Sequence, residues 1–174
     1  MANPIAQIEA KTIGTAKAIK AGFNGLRGVF LHLAEEHGEV GALMKRVSKS
    51  PDPEVRREHY PHIRAELQSH ERGELATVYT MLGNYLATRD LAAAHKLGSQ
   101  QLEEAIATVD TLDYADPAWG PAFQRLFLLV QQHVAEEEND FFPQAQKILG
   151  EGETTALVDR YETAKKSAKL TLKR

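Results

Sequence analysis

PAFQRLFLLVQQHVAEEENDFFPQAQKIL, residues 121–149, is the stretch that decides the fold. Leu126, Leu129, Val130, His133 and Phe141 recur in it with the period of an α-helix and so fall on one stripe. A stripe of that width is the face a helix turns towards its neighbours in a bundle. His133 sits in the middle of it. Glu137 follows four residues later, a little over one turn, and projects from the same side.

Working outward, the same arrangement recurs. His70 is followed four residues on by Glu74, and it shares a face with Ile63, Leu67, Val78 and Met81. Two further histidines stand alone on apolar stripes: His37 among Phe30, Leu33, Val40, Met44 and Val47, and His95 near Leu91, Ala92 and Leu102. Along the chain the order is His, His-x-x-x-Glu, His, His-x-x-x-Glu, with the lone histidine 33 and 38 residues ahead of its motif. Tyr79 and Phe142 each lie five residues after the glutamate. The pattern reads as two related helical hairpins, each contributing half of one site.

The remaining chain supports an all-α, up-down-up-down four-helix bundle. Helix-forming residues dominate, and alternating strand runs are absent. Breaks fall at Ser48–Pro53, at Thr88–Asp90, at Asp113–Pro121 and at Gly150–Gly152. They predict long helices over about 25–48, 61–87, 90–112 and 121–149, and a fifth over about 154–171. Asp52 and Pro53 suit an N-cap and a first turn, and Asp90 could cap the third helix. Pro61 is expected to kink or restart the second. An N-terminal segment, with Ile5, Ile8, Ile13, Ala16 and Ile19 in amphipathic register, predicts one more helix docked on the bundle. This segment and the fifth helix could cap the bundle or build a homodimer interface. At 174 residues, the whole chain is the size of a single domain.

Composition narrows the chemistry. With no cysteine, thiolate metal sites, iron–sulfur clusters and disulfide scaffolds are excluded. A net charge of −3 points to no nucleic-acid partner, and the basic tail from Lys165 reads as a solvated helix end. No apolar stretch reaches signal-peptide or membrane-span length, so the expected compartment is the cytoplasm and no membrane contact is expected.

Two glutamates buried beside four histidines need a cation to balance them. His37, His70, Glu74, His95, His133 and Glu137 are therefore the candidate metal ligands. Six such donors exceed one tetrahedral zinc. They suit two ions, each with two imidazoles and one oxygen from each of two bridging carboxylates, plus a solvent-derived oxo or hydroxo bridge. Nitrogen and oxygen donors with open positions favour iron, with manganese and zinc still open. Glu66 and Glu136 are candidates for orienting imidazoles, while Glu71 and Glu138 read as solvated. His32, His59 and His62 lie off the ligand faces or turns away and read as structural or exposed.

These residues resemble the hemerythrin-like family, or HHE cation-binding domain. The matching segments are EEHGEVGALM around His37, ELQSHERGELATVY with His70 and Glu74, AAAHKLGSQQL around His95, and HVAEEENDFFP with His133 and Glu137. The resemblance covers residues 25 to 149. It implies a non-haem di-iron centre that meets dioxygen, nitric oxide or peroxide. The oxygen-carrying members have a fifth histidine one turn from that of the third helix, whereas Leu91 and Ser99 flank His95 here. The spacing from His133 to Glu137 is also four rather than five. The sequence thus looks like the bacterial branch with six protein ligands, and the absent histidine favours redox chemistry over reversible oxygen carriage. A binder or sensor of a diatomic and a peroxide- or nitric-oxide-consuming oxidoreductase are the two roles it divides between. A metal-free interaction bundle is the contrasting class. A ferritin-like di-iron site would need Glu-x-x-His, and no histidine here has glutamate three residues before it.

Overall fold

The computed structural model describes residues 4–172. Its helices are α1 (Pro4–Phe23), α2 (Gly28–Ser48), α3 (Pro53–Glu74), the short α4 (Thr80–Leu82), α5 (Arg89–Asp110), α6 (Trp119–Glu136) and α7 (Phe142–Leu172). No strand occurs among the described residues. The bundle proper is α2, α3, α5 and α6. A π-helical turn, Leu75–Tyr79, joins α3 to α4, and a second, Glu137–Phe141, joins α6 to α7.

The second bundle helix starts earlier than Pro61. Asp52 accepts a hydrogen bond from the Glu54 backbone N–H at 2.9 Å, and Pro53 occupies the first turn, where its missing N–H costs nothing. Pro61 lies inside the helix without restarting it. Tyr60 and Ile63 on either side are buried, and the Tyr60 hydroxyl donates to Asp110 on α5 at 2.8 Å. Tertiary packing thus outweighs the lost helical hydrogen bond. The third bundle helix is not capped by Asp90. Thr88 takes the N-cap position, with its hydroxyl donating instead to the Leu82 carbonyl at 2.7 Å, and Asp90 lies in the first turn.

Gly150 stops the helical run that α6 begins and the first part of α7 continues, as the sequence predicts. Its φ of 75° and ψ of 170° break α7 into two rods, the second of which returns along α3. Gly73 lets it approach, since a Cβ there would stand 2.9 Å from the Tyr161 ring. Lys165 on this rod is buried, so the basic tail is not the solvated end expected, and residues 173–174 lie outside the described residues. At the other terminus α1 does dock on α2, but by the opposite face. Ala6, Ala10, Gly14 and Ala21 are buried, whereas Ile5, Ile8, Ile13 and Ile19 are exposed. The reason is proximity: a Cβ on Gly38 would lie 2.8 Å from the Gly14 Cα, so only small side chains fit the contact.

The core is split in two. One cluster gathers Val40, Met44, Ile63, Leu102, Trp119 and Leu126. The other gathers Phe30, Leu33, Val78, Phe141, Leu157 and Tyr161. On each bundle helix the candidate ligands lie between residues of one cluster and residues of the other, which places a polar layer across the middle of the bundle.

Candidate metal centre

Each helix delivers its side chain to that layer from an apolar stripe. His37, His70, Glu74, His95, His133 and Glu137 are all buried. Their donor atoms form two neighbouring groups. His37, His70 and Glu137 make one; His95, His133, Glu74 and Glu71 make the other. The Nε2 atoms of His37 and His70 are 3.1 Å apart. Both motif glutamates span the two groups. Glu74 Oε2 is 3.4 Å from His70 Nε2 and 3.9 Å from His95 Nε2. Glu137 reaches His37 Nε2 with one oxygen at 3.3 Å and His95 Nδ1 with the other at 3.2 Å.

Glu71 corrects the sequence reading. It is buried, not solvated, and stands 3.2 Å from His133 Nε2 and 3.6 Å from His95 Nε2. Ser99 donates a hydrogen bond to it at 2.6 Å. One residue on from His70 is about 100° further round a helix. His70 therefore faces α2 while Glu71 faces α5 and α6.

The far nitrogens of two imidazoles are held from outside. His37 Nδ1 lies 2.8 Å from Glu138, which in turn accepts from Lys17 of α1 at 2.6 Å. His70 Nδ1 lies 2.8 Å from Glu36 and 2.9 Å from the Tyr161 hydroxyl, and that hydroxyl donates to Glu36 at 2.6 Å. Such contacts fix ring orientation and turn the other nitrogen inward. The orienting carboxylates are thus Glu36 and Glu138, not Glu66 and Glu136. Glu66 pairs with Lys165 and Lys169, and Glu136 accepts from Gln132 at the surface. Of the other histidines, His32 pairs with Glu36 and Glu162, His59 is buried beside Glu58, and His62 stands near Glu66.

The π turns explain the repeated aromatic. Five residues on an α-helix turn about 140° away, which would carry Tyr79 off the face of Glu74. The wider π turn brings it back. Its ring stacks on His95 with centroids 3.4 Å apart and planes 9° from parallel, and its hydroxyl donates to Glu137 at 2.6 Å. Phe142 takes the corresponding place on His37, 5.9 Å away and 13° from parallel, with no hydroxyl to give. Glu74, the glutamate of the other segment that a hydroxyl there would serve, accordingly has neither oxygen hydrogen-bonded.

The electrostatics leave a demand for positive charge. Burial pushes the Glu74 carboxyl well above its ordinary value, and the neighbouring Glu137 and Glu71 push it further. Burial alone would lower His133, but Glu71 and Glu137 beside it prevail and raise it to about 9. His133 Nε2, Glu137 Oε2 and both Glu74 oxygens are buried with no hydrogen-bond partner. Such atoms cost free energy unless something coordinates them. The donor set fits cations held between the two groups.

A family model, the hemerythrin HHE cation binding domain, matches residues 29–145. The chain belongs to this family. No curated protein and no solved structure matches it. The matched range holds all six sequence-predicted ligands together with Glu71. Lys17 and Tyr161, which reach the site through Glu138, Glu36 and His70, come from outside it. No described helix is long and apolar enough to cross a membrane.

Proposed function

We propose that this hemerythrin-family chain is a non-haem di-iron protein that binds or reacts with a small oxidant, namely dioxygen, nitric oxide or peroxide. The observation that carries the reading is the pair of facing imidazole groups joined by two buried carboxylates whose oxygens lack partners. His37 and His70 would hold one ion, His95, His133 and Glu71 the other, and Glu74 and Glu137 would span both. An iron pair held there would supply the electrons for chemistry on the oxidant.

The chain's own residues set the conditions for that chemistry. Glu36 and Glu138 hold imidazoles in orientation. The Tyr79 hydroxyl fixes Glu137 and leaves Glu74 the freer of the two spanning carboxylates. Phe141, Phe142 and Tyr79 close the layer against water from one core. Glu71 in place of a fifth histidine favours turnover over reversible carriage, because an anionic donor stabilises the oxidised metal more than a neutral one does.

Metal content and absorption of the purified chain test the proposal. Two irons per chain with charge-transfer bands are expected, and both should be lost in Glu74→Ala. No bound metal after anaerobic reconstitution with ferrous iron would sink it. Catalytic peroxide or nitric oxide consumption would assign an oxidoreductase, and stoichiometric uptake would assign a binder.

A further inference from the structure

His32 precedes Glu36 by four residues, the spacing of both ligand motifs, and the returning rod of α7 brings Glu162 to the pair. The Nε2 atom of His32 points between two carboxylates. It lies 2.5 Å from Glu162 Oε1 and 3.4 Å from Glu36 Oε1. The three residues bring donor atoms within 4.8 Å of one another, as the two inner groups do. A ring N–H is donated well in one direction only, so the second carboxylate gains little from it. A cation serves both. Two donors on a tetrahedral zinc-sized ion, each about 2.1 Å from it, stand about 3.4 Å apart. The separation of His32 from Glu36 already has that value. Glu162 need withdraw by only about 0.9 Å to match it, and it is free to move because its side chain is 51% exposed.

The other two donors are held in place. Tyr161, fully buried on the rod, packs its ring edge-on to His32 with centroids 5.8 Å apart. Its hydroxyl donates to Glu36 Oε2 at 2.6 Å, which leaves Oε1 turned towards His32. Donors set beforehand cost less to assemble on binding. The local charge also admits a dication: three carboxylates, Glu36, Glu66 and Glu162, surround two ammonium groups, Lys165 and Lys169. Lys165 lies 2.6 Å from Glu36 Oε1 but also 3.2 Å from Glu66, so an ion that takes over Glu36 leaves the ammonium paired. We propose that His32, Glu36 and Glu162 form a further divalent-cation site, outside the ligand layer, for an ion of the zinc class that completes its coordination with water. One imidazole and two carboxylates with an open position suit such an ion. Glu36 links the site to the layer, since its Oε2 also lies 2.8 Å from His70 Nδ1. The site does not rest on the metal-centre reading above, because none of its three donors is a candidate ligand of that centre.

The probe is zinc. Equilibrium dialysis counts the ions held by the full chain, once stripped of metal and once loaded anaerobically with ferrous iron. In both states the parent should hold one zinc more than Glu162→Gln. Asp159→Asn, which removes an exposed carboxylate from the same rod, should match the parent. Nuclear magnetic resonance should find the His32 ring signals shifted as the extra ion binds. His32→Gln repeats the count if circular dichroism shows Glu162→Gln to be unfolded. Equal counts in parent and variant, an equal loss in Asp159→Asn, or His32 signals unmoved by zinc would overturn the proposal. A chain that takes up no iron yet keeps the difference of one zinc would instead sink the metal-centre reading alone.

Discussion

Glu71 is the residue on which the sequence and the structure part most sharply. Periodicity marks His70 and Glu74 because they share a stripe, and it discards the residue between them in angle. That rule assumes one buried face per helix. At the middle of a four-helix bundle two faces about 100° apart are both covered, so the neighbour of a ligand can reach the site from the same helix. Ser99, hydrogen-bonded to Glu71 at 2.6 Å, was visible in the sequence only as a histidine that is missing. The consequence is measurable. Glu71→Ala should cut metal content from two ions towards one per chain while leaving the His37 side occupied, and an unchanged content of two would remove Glu71 from the donor set. His133 carries a second prediction. Its pKa of about 9 without metal lies above the unfolded value of roughly 6.5. It is therefore protonated at pH 7, contributes stability to the metal-free fold below the unfolded value, and loses that contribution as pH rises to about 9. An incoming cation must displace that proton. Calorimetry in buffers of different ionisation enthalpy should find proton release on metal uptake at pH 7, with affinity rising towards pH 9. Uptake without proton release would contradict this.

At the scale of elements, the four bundle helices and their loops were legible because glycine, proline and apolar stripes mark them. The two π turns were not. Their only trace was an aromatic five residues after each glutamate, a spacing that makes sense once the turn is widened. The docking face of α1 was misread for a physical reason: the isoleucines advertise hydrophobicity, but the contact with α2 is decided by how closely Gly14 and Gly38 let the backbones approach. The returning rod of α7 shows the same logic. Tyr161 and Lys165 join it to Glu36, and through Glu36 to His70. Gly73→Ala should push this rod away, since the new methyl would meet the Tyr161 ring at 2.9 Å. Overpacking of that kind costs about 1–3 kcal/mol. Thermal unfolding should record the loss, and metal affinity should fall with it as the Tyr161 contact to His70 loosens. A stable variant with weakened metal binding, or the reverse, would separate the two functions of the rod.

The whole molecule is two hydrophobic cores with a layer of imidazole and carboxylate between them, and that layer makes stability depend on what occupies it. Without a cation, the orphaned oxygens of Glu74 and the mutual repulsion of Glu71, Glu74 and Glu137 work against the fold. With a cation bound only to the folded state, stability rises with free metal, by about 4 kcal/mol per site at a thousand times Kd. For a chain of this size that corresponds to roughly 8–16 °C in Tm. The paired change His70→Leu and Glu74→Leu separates the contrasting readings of the bundle. It replaces buried polar groups by apolar ones of similar size, so the metal-free variant should match or exceed the metal-free parent in Tm. Under anaerobic ferrous iron the order should reverse, because only the parent can gain from the metal. A metal-free interaction bundle gives the first result and no reversal. Differential scanning calorimetry of the two chains, each with and without iron, therefore distinguishes a layer kept for a cation from one that is merely tolerated.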